Sequence, residues 1–282
     1  MTSATLQIDP SLKALLPTLA ERLLSAAPAT SGVIVAGICG AQGSGKTTLS
    51  HALETEIERH GKRALTLSLD DFYLPRADRR TLAEEVHPLC MTRGVPGTHD
   101  IGLYARSVAT LAAAGPNDET CLPVFSKLDD DRLPESAWAR YVGRPDILLF
   151  EGWCVGAHPR APWGPHDPIN VLEAEEDPHG IWRRWWQDQL AEEYWPRWSD
   201  LDPLVLIRVP GIESVVKSRI KQEAGLAAVE PDKPTMDEAA IRRFVAHYER
   251  LTLNIWEDMP ERAHVLIDRD DSFTFSISCP IR

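Results

Sequence analysis

Val33-Ile34-Val35-Ala36-Gly37-Ile38-Cys39-Gly40-Ala41-Gln42-Gly43-Ser44-Gly45-Lys46-Thr47-Thr48-Leu49-Ser50 is the stretch on which the fold class turns. It opens with a short apolar run rich in β-branched residues, which reads as a buried strand. From Gly40 to Thr47 it fits G-x-x-x-x-G-K-[ST], and Leu49 to Arg59 continues with apolar residues at helical spacing. Glycines let the backbone curl so that successive N–H groups point inward at phosphate oxygens. The dipole of a helix beginning near Lys46 adds partial positive charge at the same spot. Lys46 has the reach for β- and γ-phosphates, and the Thr47 hydroxyl is placed to ligate Mg²⁺. Gly40, Ala41, Gln42, Gly43, Ser44, Gly45, Lys46, Thr47 and Thr48 are therefore the candidate nucleotide-phosphate cradle.

Four more apolar runs read as buried strands: Ala64–Leu69, Ile147–Phe150, Leu204–Val209 and Ala263–Ile267. The first closes on Asp70-Asp71-Phe72-Tyr73 and the second on Glu151-Gly152-Trp153. Carboxylates at the carboxyl ends of strands stand where ligands of open α/β sheets bind. An apolar run closing on an acid, downstream of a phosphate loop, also suits Mg²⁺ or its water. A solvated turn or a helix cap is the competing account of these acids.

Between the strands the periodicity predicts helices. One spans residues 6–27, started or interrupted at Pro17; others cover Thr81–Leu89, Ile101–Ala114, Ile212–Ala224 and Met236–Trp256. Asp100 is placed to cap the helix that follows it, which competes with a ligand role. The loop 91–100 carries Arg93, His99 and Asp100 among glycines and a proline. Cys121–Phe125 reads as an edge strand or a strand start because of Pro123, and Phe273–Ile277 alternates as an edge strand would. Trp182, Trp185 and Trp186 share one helix face, with acidic neighbours that suit a core cover better than a platform for bases. His158 and His166 lack ligand-like spacing. Strands alternating with helices imply an α/β fold, doubly wound around a mainly parallel five-stranded sheet. The expected organisation is a single domain over 1–282, with an N-terminal helical extension (1–30), a core (31–268) and a tail (269–282).

The 282 residues, 43% hydrophobic and 26% charged, can bury a sizeable core. No apolar run reaches the ~18 residues of a membrane span, and no charged-then-apolar leader precedes Leu6, so a cytoplasmic location and no membrane partner are expected. Five widely spaced cysteines without C-x-x-C (Cys39, Cys90, Cys121, Cys154, Cys279) argue against a disulfide framework or a zinc site. A formal net charge of −12 with no basic stripe argues against a nucleic-acid partner.

Taken together, Gly40–Thr48, Ser68-Leu69-Asp70-Asp71-Phe72-Tyr73, Arg93-Gly94 to His99-Asp100, Lys127 and Phe150-Glu151-Gly152-Trp153 resemble the D-glycerate 3-kinase branch of the P-loop kinases. Uridine kinases, phosphoribulokinases and bacterial pantothenate kinases belong to the same wider group. The similarity runs from about residue 30 to 268. D-D-F-Y, R-G-x-x-G-[ST]-H-D and F-E-G-W carry it, because the phosphate loop alone is shared far more widely. The branch usually has F-D-K where this chain has Phe125-Ser126-Lys127.

The resemblance implies phosphoryl transfer from ATP, with Mg²⁺, to a hydroxyl of a small acceptor. It implies Asp70 as the proton acceptor, Lys46 as the charge neutraliser, and Thr47, Asp71 and Glu151 around the metal. It also implies a helical lid, with Arg219 as a cationic contact for the transferring group. Tyr73, Arg93, His99, Asp100, Lys127, Arg132 and Trp153 fall on the acceptor side. Cations gathered there in an acidic chain suit an anionic hydroxy acid, D-glycerate first, phosphorylated at its 3-hydroxyl. Uridine, pantothenate or a sugar-like acceptor is the alternative, and a P-loop hydrolase without an acceptor is the rival class. The guanine motif N-K-x-D is absent. Oligomeric state stays open.

Overall fold

The computed structural model describes residues 8–26, 32–159, 167–229 and 235–278; His166 and Cys279 lie outside the described residues. The chain begins α1 (Pro10–Leu24), β1 (Ile34–Gly40), α2 (Lys46–Arg59), β2 (Ala64–Ser68), α3 (Arg76–Glu85) and α4 (Ile101–Ala113). Short strands follow, β3 (Glu119–Leu122), β4 (Phe125–Ser126), β5 (Asp131–Arg132) and β6 (Ala139–Val142), and then β7 (Ile147–Gly152). Next come α5 (Val171–Glu176), α6 (Ile181–Gln189), α7 (Trp195–Trp198) and β8 (Leu204–Arg208). The remainder is α8 (Ile212–Val229), α9 (Glu238–Asp258), β9 (Val265–Arg269) and β10 (Phe275–Ile277).

Five parallel strands form, as the apolar runs require, and β10 adds a sixth, antiparallel one at the edge; the order is β10-β9-β8-β1-β7-β2. β1 lies between β7 and β8, pairing Ile38 with Glu151 and with Val205. The chain leaves β1 toward β7 and β2 and later returns on its other side as β8. That reversal opens the crevice where open α/β sheets bind ligands, and the loop after β1 sits in it. Strands covered on both faces cannot alternate with polar residues, which is why Ile147–Phe150 are all fully buried.

One face of the sheet is covered by α1 and α2, whose Leu12, Leu16, Leu19, Leu23, Leu49 and Leu53 join Ile38, Leu149 and Ile207 in one core cluster. Contrary to the sequence reading, Pro17 neither starts nor interrupts α1. The helix starts at Pro10, with Asp9 accepting the Ser11 N–H at 2.8 Å, and runs through Pro17. An interior proline costs about 3 kcal/mol. Four buried leucines at roughly 1.5–3 kcal/mol each outweigh it.

The opposite face carries α4, the tryptophan helices and α9. Trp182 and Trp186 are buried and Trp185 packs against them, so this face is core cover. The run at Cys121–Phe125 leaves the main sheet altogether. Pro123 separates β3, which pairs with β6, from β4, which pairs with β5. The polar turn between β4 and β5 thereby folds over the end of β2. Cys39, Cys90 and Cys154 are buried free thiols and Cys121 is an exposed one. His158 packs edge-on against Trp195. Among the described residues, no helix is long and apolar enough to cross a membrane.

Candidate active site

The phosphate loop joins β1 to α2 as a left-handed turn. Gly43 has φ 71°, and a Cβ there would meet Ser218 of α8 at 2.6 Å, so only glycine lets α8 close on the loop. Gly45, also left-handed, opens α2. Gln42 Oε1 and Ser44 Oγ are buried without partners among the described residues, as suits a cradle that waits for a ligand.

Glu151 ends β7 beside this loop. Its Oε1 accepts the hydroxyls of Thr47 and Ser68, each at 2.9 Å, while Oε2 lies 4.0 Å from Lys46 Nζ. Glu151 is 2% exposed, and Oε2 has no hydrogen-bond partner among the described residues. A buried carboxylate oxygen left open beside a hydroxyl is the donor set of a hard cation. Among the described residues, no group of three or more His, Cys, Asp or Glu is placed to hold a metal ion by itself. A cation held here would therefore complete its shell with phosphate and water, as Mg²⁺ does.

The two aspartates after β2 diverge. Asp70 accepts the Tyr73 hydroxyl at 2.8 Å and pairs with Lys127 at 2.6 Å. Burial by itself would raise its carboxyl; the ammonium groups of Lys127 and Lys46 and the two hydrogen bonds instead hold it well below the usual carboxylate range. Asp71 accepts the Phe125 N–H at 3.2 Å. Burial, with the charges of Asp70 and Glu151 added, pushes its carboxyl up to about 6. The turn that delivers Lys127 is closed by Ser126, whose hydroxyl donates to Asp129 at 2.5 Å.

The residues around the R-G-V-P-G-T-H-D loop fall into two groups. Arg132 donates to the Tyr73 carbonyl at 2.8 Å and pairs with Asp100 at 3.3 Å, while Asp100 caps α4 by accepting the Leu103 N–H at 2.7 Å. Trp153 is buried and donates its indole N–H to the Gly94 carbonyl at 2.7 Å. These three are engaged in shaping the loop. Tyr73 and Lys127 touch Asp70, and His99 and Arg93 lie against the Tyr73 ring. Tyr73 stacks on His99 at 4.6 Å, and Arg93 pairs with Asp130 beneath the Tyr73 and Phe125 rings. Lys127 is the exposed member, at 63% of its side chain. Arg219 sits on α8, one helical step from the Ser218 contact with the loop, and is engaged by Gln222 and Glu223 over the Phe244 ring.

Sequence reasoning passed over Arg79, Asp130, Tyr194 and Tyr248. Buried Arg79 donates to the carbonyls of Leu74 (3.2 Å), Met91 (2.8 Å) and Asp130 (2.6 Å), tying three segments together. Tyr248 of α9 donates to the Arg93 carbonyl at 2.8 Å, and its ring fills the space a Gly94 side chain would need. Gly94 has φ 132°, so glycine is required twice over.

No family model matches the chain. The Schizosaccharomyces pombe protein named "Uncharacterized kinase mug58" is 32% identical over 229 residues, 76% of this chain and 78% of that one. The "D-glycerate 3-kinase, chloroplastic" of Arabidopsis thaliana is 28% identical over 226 residues, again 76% of this chain but 46% of the relative, so this chain spans under half that enzyme's length. Among solved structures, a D-glycerate 3-kinase from Cryptococcus neoformans matches with TM-score 0.70 at 23% identity, over 96% of this chain and 99% of that one. The YGR205w protein matches with TM-score 0.65 at 23% identity, over 88% and 90%. These two likenesses bear on the fold, and the first relative bears on kinship. The phosphate cradle, the acids at the ends of β2 and β7 and these likenesses agree: the chain belongs to the P-loop kinases, phosphotransferases with a hydroxyl acceptor, in the branch that holds the D-glycerate 3-kinases.

Proposed function

We propose that this kinase transfers the γ-phosphate of ATP, with Mg²⁺, to the 3-hydroxyl of D-glycerate. The observation that carries the reading is the Asp70–Lys127 pair, close enough to the phosphate loop for Asp70 to feel the charge of Lys46. A hydroxy acid complements that pair. Its hydroxyl has a proton for Asp70, and its carboxylate has the charge to take over Lys127 and, beside it, Arg93. The chloroplast relative, named a D-glycerate 3-kinase, supports the choice of acid.

Phosphoryl transfer needs positioning and charge neutralisation more than covalent chemistry. Lys46 neutralises the β- and γ-phosphates at the start of α2. Thr47, Glu151 and Asp71 would hold Mg²⁺ directly or through water, the orphaned Glu151 Oε2 being the evidence of fit. When bound, the ion would offset the negative charge of the phosphates. Once the acceptor carboxylate draws Lys127 away, Asp70 is free to orient the hydroxyl and take its proton. Arg219, released from Glu223, supplies further positive charge from α8. Ser126, in place of the branch's aspartate, leaves Asp70 as the acid paired with Lys127.

The test is a panel of D-glycerate, L-glycerate, uridine, pantothenate and ribulose 5-phosphate, with products located by phosphorus NMR. D-glycerate is expected to give 3-phosphoglycerate. Preference for uridine or another uncharged acceptor would overturn the reading, because no anion would then be needed to displace Lys127.

A further inference from the structure

Tyr194 belongs to none of the site's motifs, yet its hydroxyl holds one of the site's buried imidazoles. The residue ends a π-helical turn, Leu190–Tyr194, between α6 and α7. Pro196 has no N–H to continue an α-helical ladder there, and such turns commonly aim a side chain at a site. The Tyr194 oxygen accepts the Gly97 N–H at 2.8 Å. Among the described residues His99 Nδ1, 2.8 Å away, is the acceptor within reach of the hydroxyl proton, and a buried hydroxyl donor left without an acceptor would be costly. Nδ1 is then the acceptor, and a neutral imidazole must carry its proton on Nε2.

Burial keeps that ring neutral, pushing it down to about 3 even though the charge of Asp70 acts the other way. His99 is 5% exposed, and its Nε2 has no hydrogen-bond partner among the described residues. An unmet buried donor is costly to a fold, so its persistence points to an acceptor supplied from outside. The ring stacks on Tyr73, opposite it in an isolated bridge, and the Tyr73 hydroxyl is bound to Asp70. The donor thus stands on the acceptor side, beside the proposed base.

We infer that Tyr194 is a positioning residue: it locks His99 in the Nε2–H tautomer, so that His99 presents a neutral N–H donor to an oxygen of the bound acceptor. This rests on the acceptor being a small hydroxy acid. It adds a reason for hydroxy acids over amino acids, since an ammonium in place of a hydroxyl would set donor against donor.

Nitrogen-15 NMR of the imidazoles in the ligand-free protein reads the tautomer directly. The expected result is Nε2–H for His99, with its resonance moving on addition of D-glycerate, and a mixture of tautomers in Tyr194→Phe. In Tyr194→Phe the KM for D-glycerate should rise roughly tenfold, the worth of one misdirected hydrogen bond, while the KM for ATP stays within about twofold and kcat falls by less than KM rises. His99→Gln, which keeps a donor near the Nε2 position, should retain more D-glycerate affinity than His99→Leu; this pair decides the matter if Tyr194→Phe fails to fold. An Nδ1–H tautomer in the wild type, or equal losses of ATP and D-glycerate affinity, would overturn the inference. Failure of the wild type to use D-glycerate would sink the substrate assignment instead, and the ligand-free tautomer would then decide this inference by itself.

Discussion

Lys127 Nζ stands 2.6 Å from Asp70 Oδ2, so the site pairs its proposed base with an exposed acceptor-side cation. Neither group is free until something replaces the other. On the proposed reading, an anionic acceptor would do this for Lys127 and leave Asp70 facing a hydroxyl.

Lys127→Met should therefore weaken the acceptor more than the nucleotide. A charge-assisted hydrogen bond is worth about 1.5–3 kcal/mol, or roughly 10–100-fold in KM for D-glycerate. Steady-state kinetics with both substrates varied reads this, and an unchanged acceptor KM would show that the lysine belongs only to a solvated turn.

Asp70→Asn keeps the shape and the Tyr73 hydrogen bond but removes the proton acceptor. We expect kcat to fall by roughly 10²–10⁴-fold with little change in ATP affinity. A collapse of ATP binding with normal residual turnover would make Asp70 a metal ligand and Asp71 the better base.

Glu151→Gln leaves a partner for the Thr47 and Ser68 hydroxyls while removing the charge beside Lys46. The Mg²⁺ concentration for half-maximal activity should rise on the order of tenfold, the loss of a charged oxygen ligand being only partly offset by water. Titration with MgCl₂ at fixed ATP checks it; an unshifted curve removes Glu151 from the metal site.

Acid should destabilise the fold through its buried neutral histidines. Burial pushes His99 down to about 3 and His247 down to about 4, from an ordinary value of 6.5. Their contribution is fully present above 6.5. Below it the unfolded chain takes up protons that the folded one refuses, so stability is lost as pH falls from 6.5 toward 4, by up to about 1.4 kcal/mol per pH unit for each group. Urea unfolding at pH 7 and pH 5 should show a smaller loss for His247→Gln than for the wild type. Equal losses would mean that the imidazole is protonated in the fold.

Leu19→Ala tests whether α1 belongs to the folding unit of the sheet. Leu19 is fully buried in the cluster that holds Ile38 and Leu149, so truncation should cost about 2–5 kcal/mol in one cooperative transition. A near-neutral effect, or a separate early transition, would make α1 an appendage.

Local order was readable wherever a short stretch carried its own physics. The apolar run into Gly40–Thr47 specified strand, turn and helix, because strand burial, glycine φ and helix spacing each leave a pattern within a few residues. The acids closing β2 and β7 were readable for the same reason, and so was Asp100 as a cap. α1 was readable as an amphipathic helix but not in its start, since the burial that outweighs Pro17 comes from the sheet.

Amino-acid order by itself thus determined the phosphate cradle, the parallel strands and the acids at their ends, all properties of neighbours in sequence. Packing alone decided what those acids and loops touch. His99 meets Tyr194 across 95 residues, Arg93 meets Asp130 across 37, and the Arg93 carbonyl meets Tyr248 across 155. No periodicity records such pairs, because each exists only once the tryptophan helices, α9 and the β4–β5 turn have been pressed onto the sheet by burial of apolar surface that is indifferent to which polar groups it brings together.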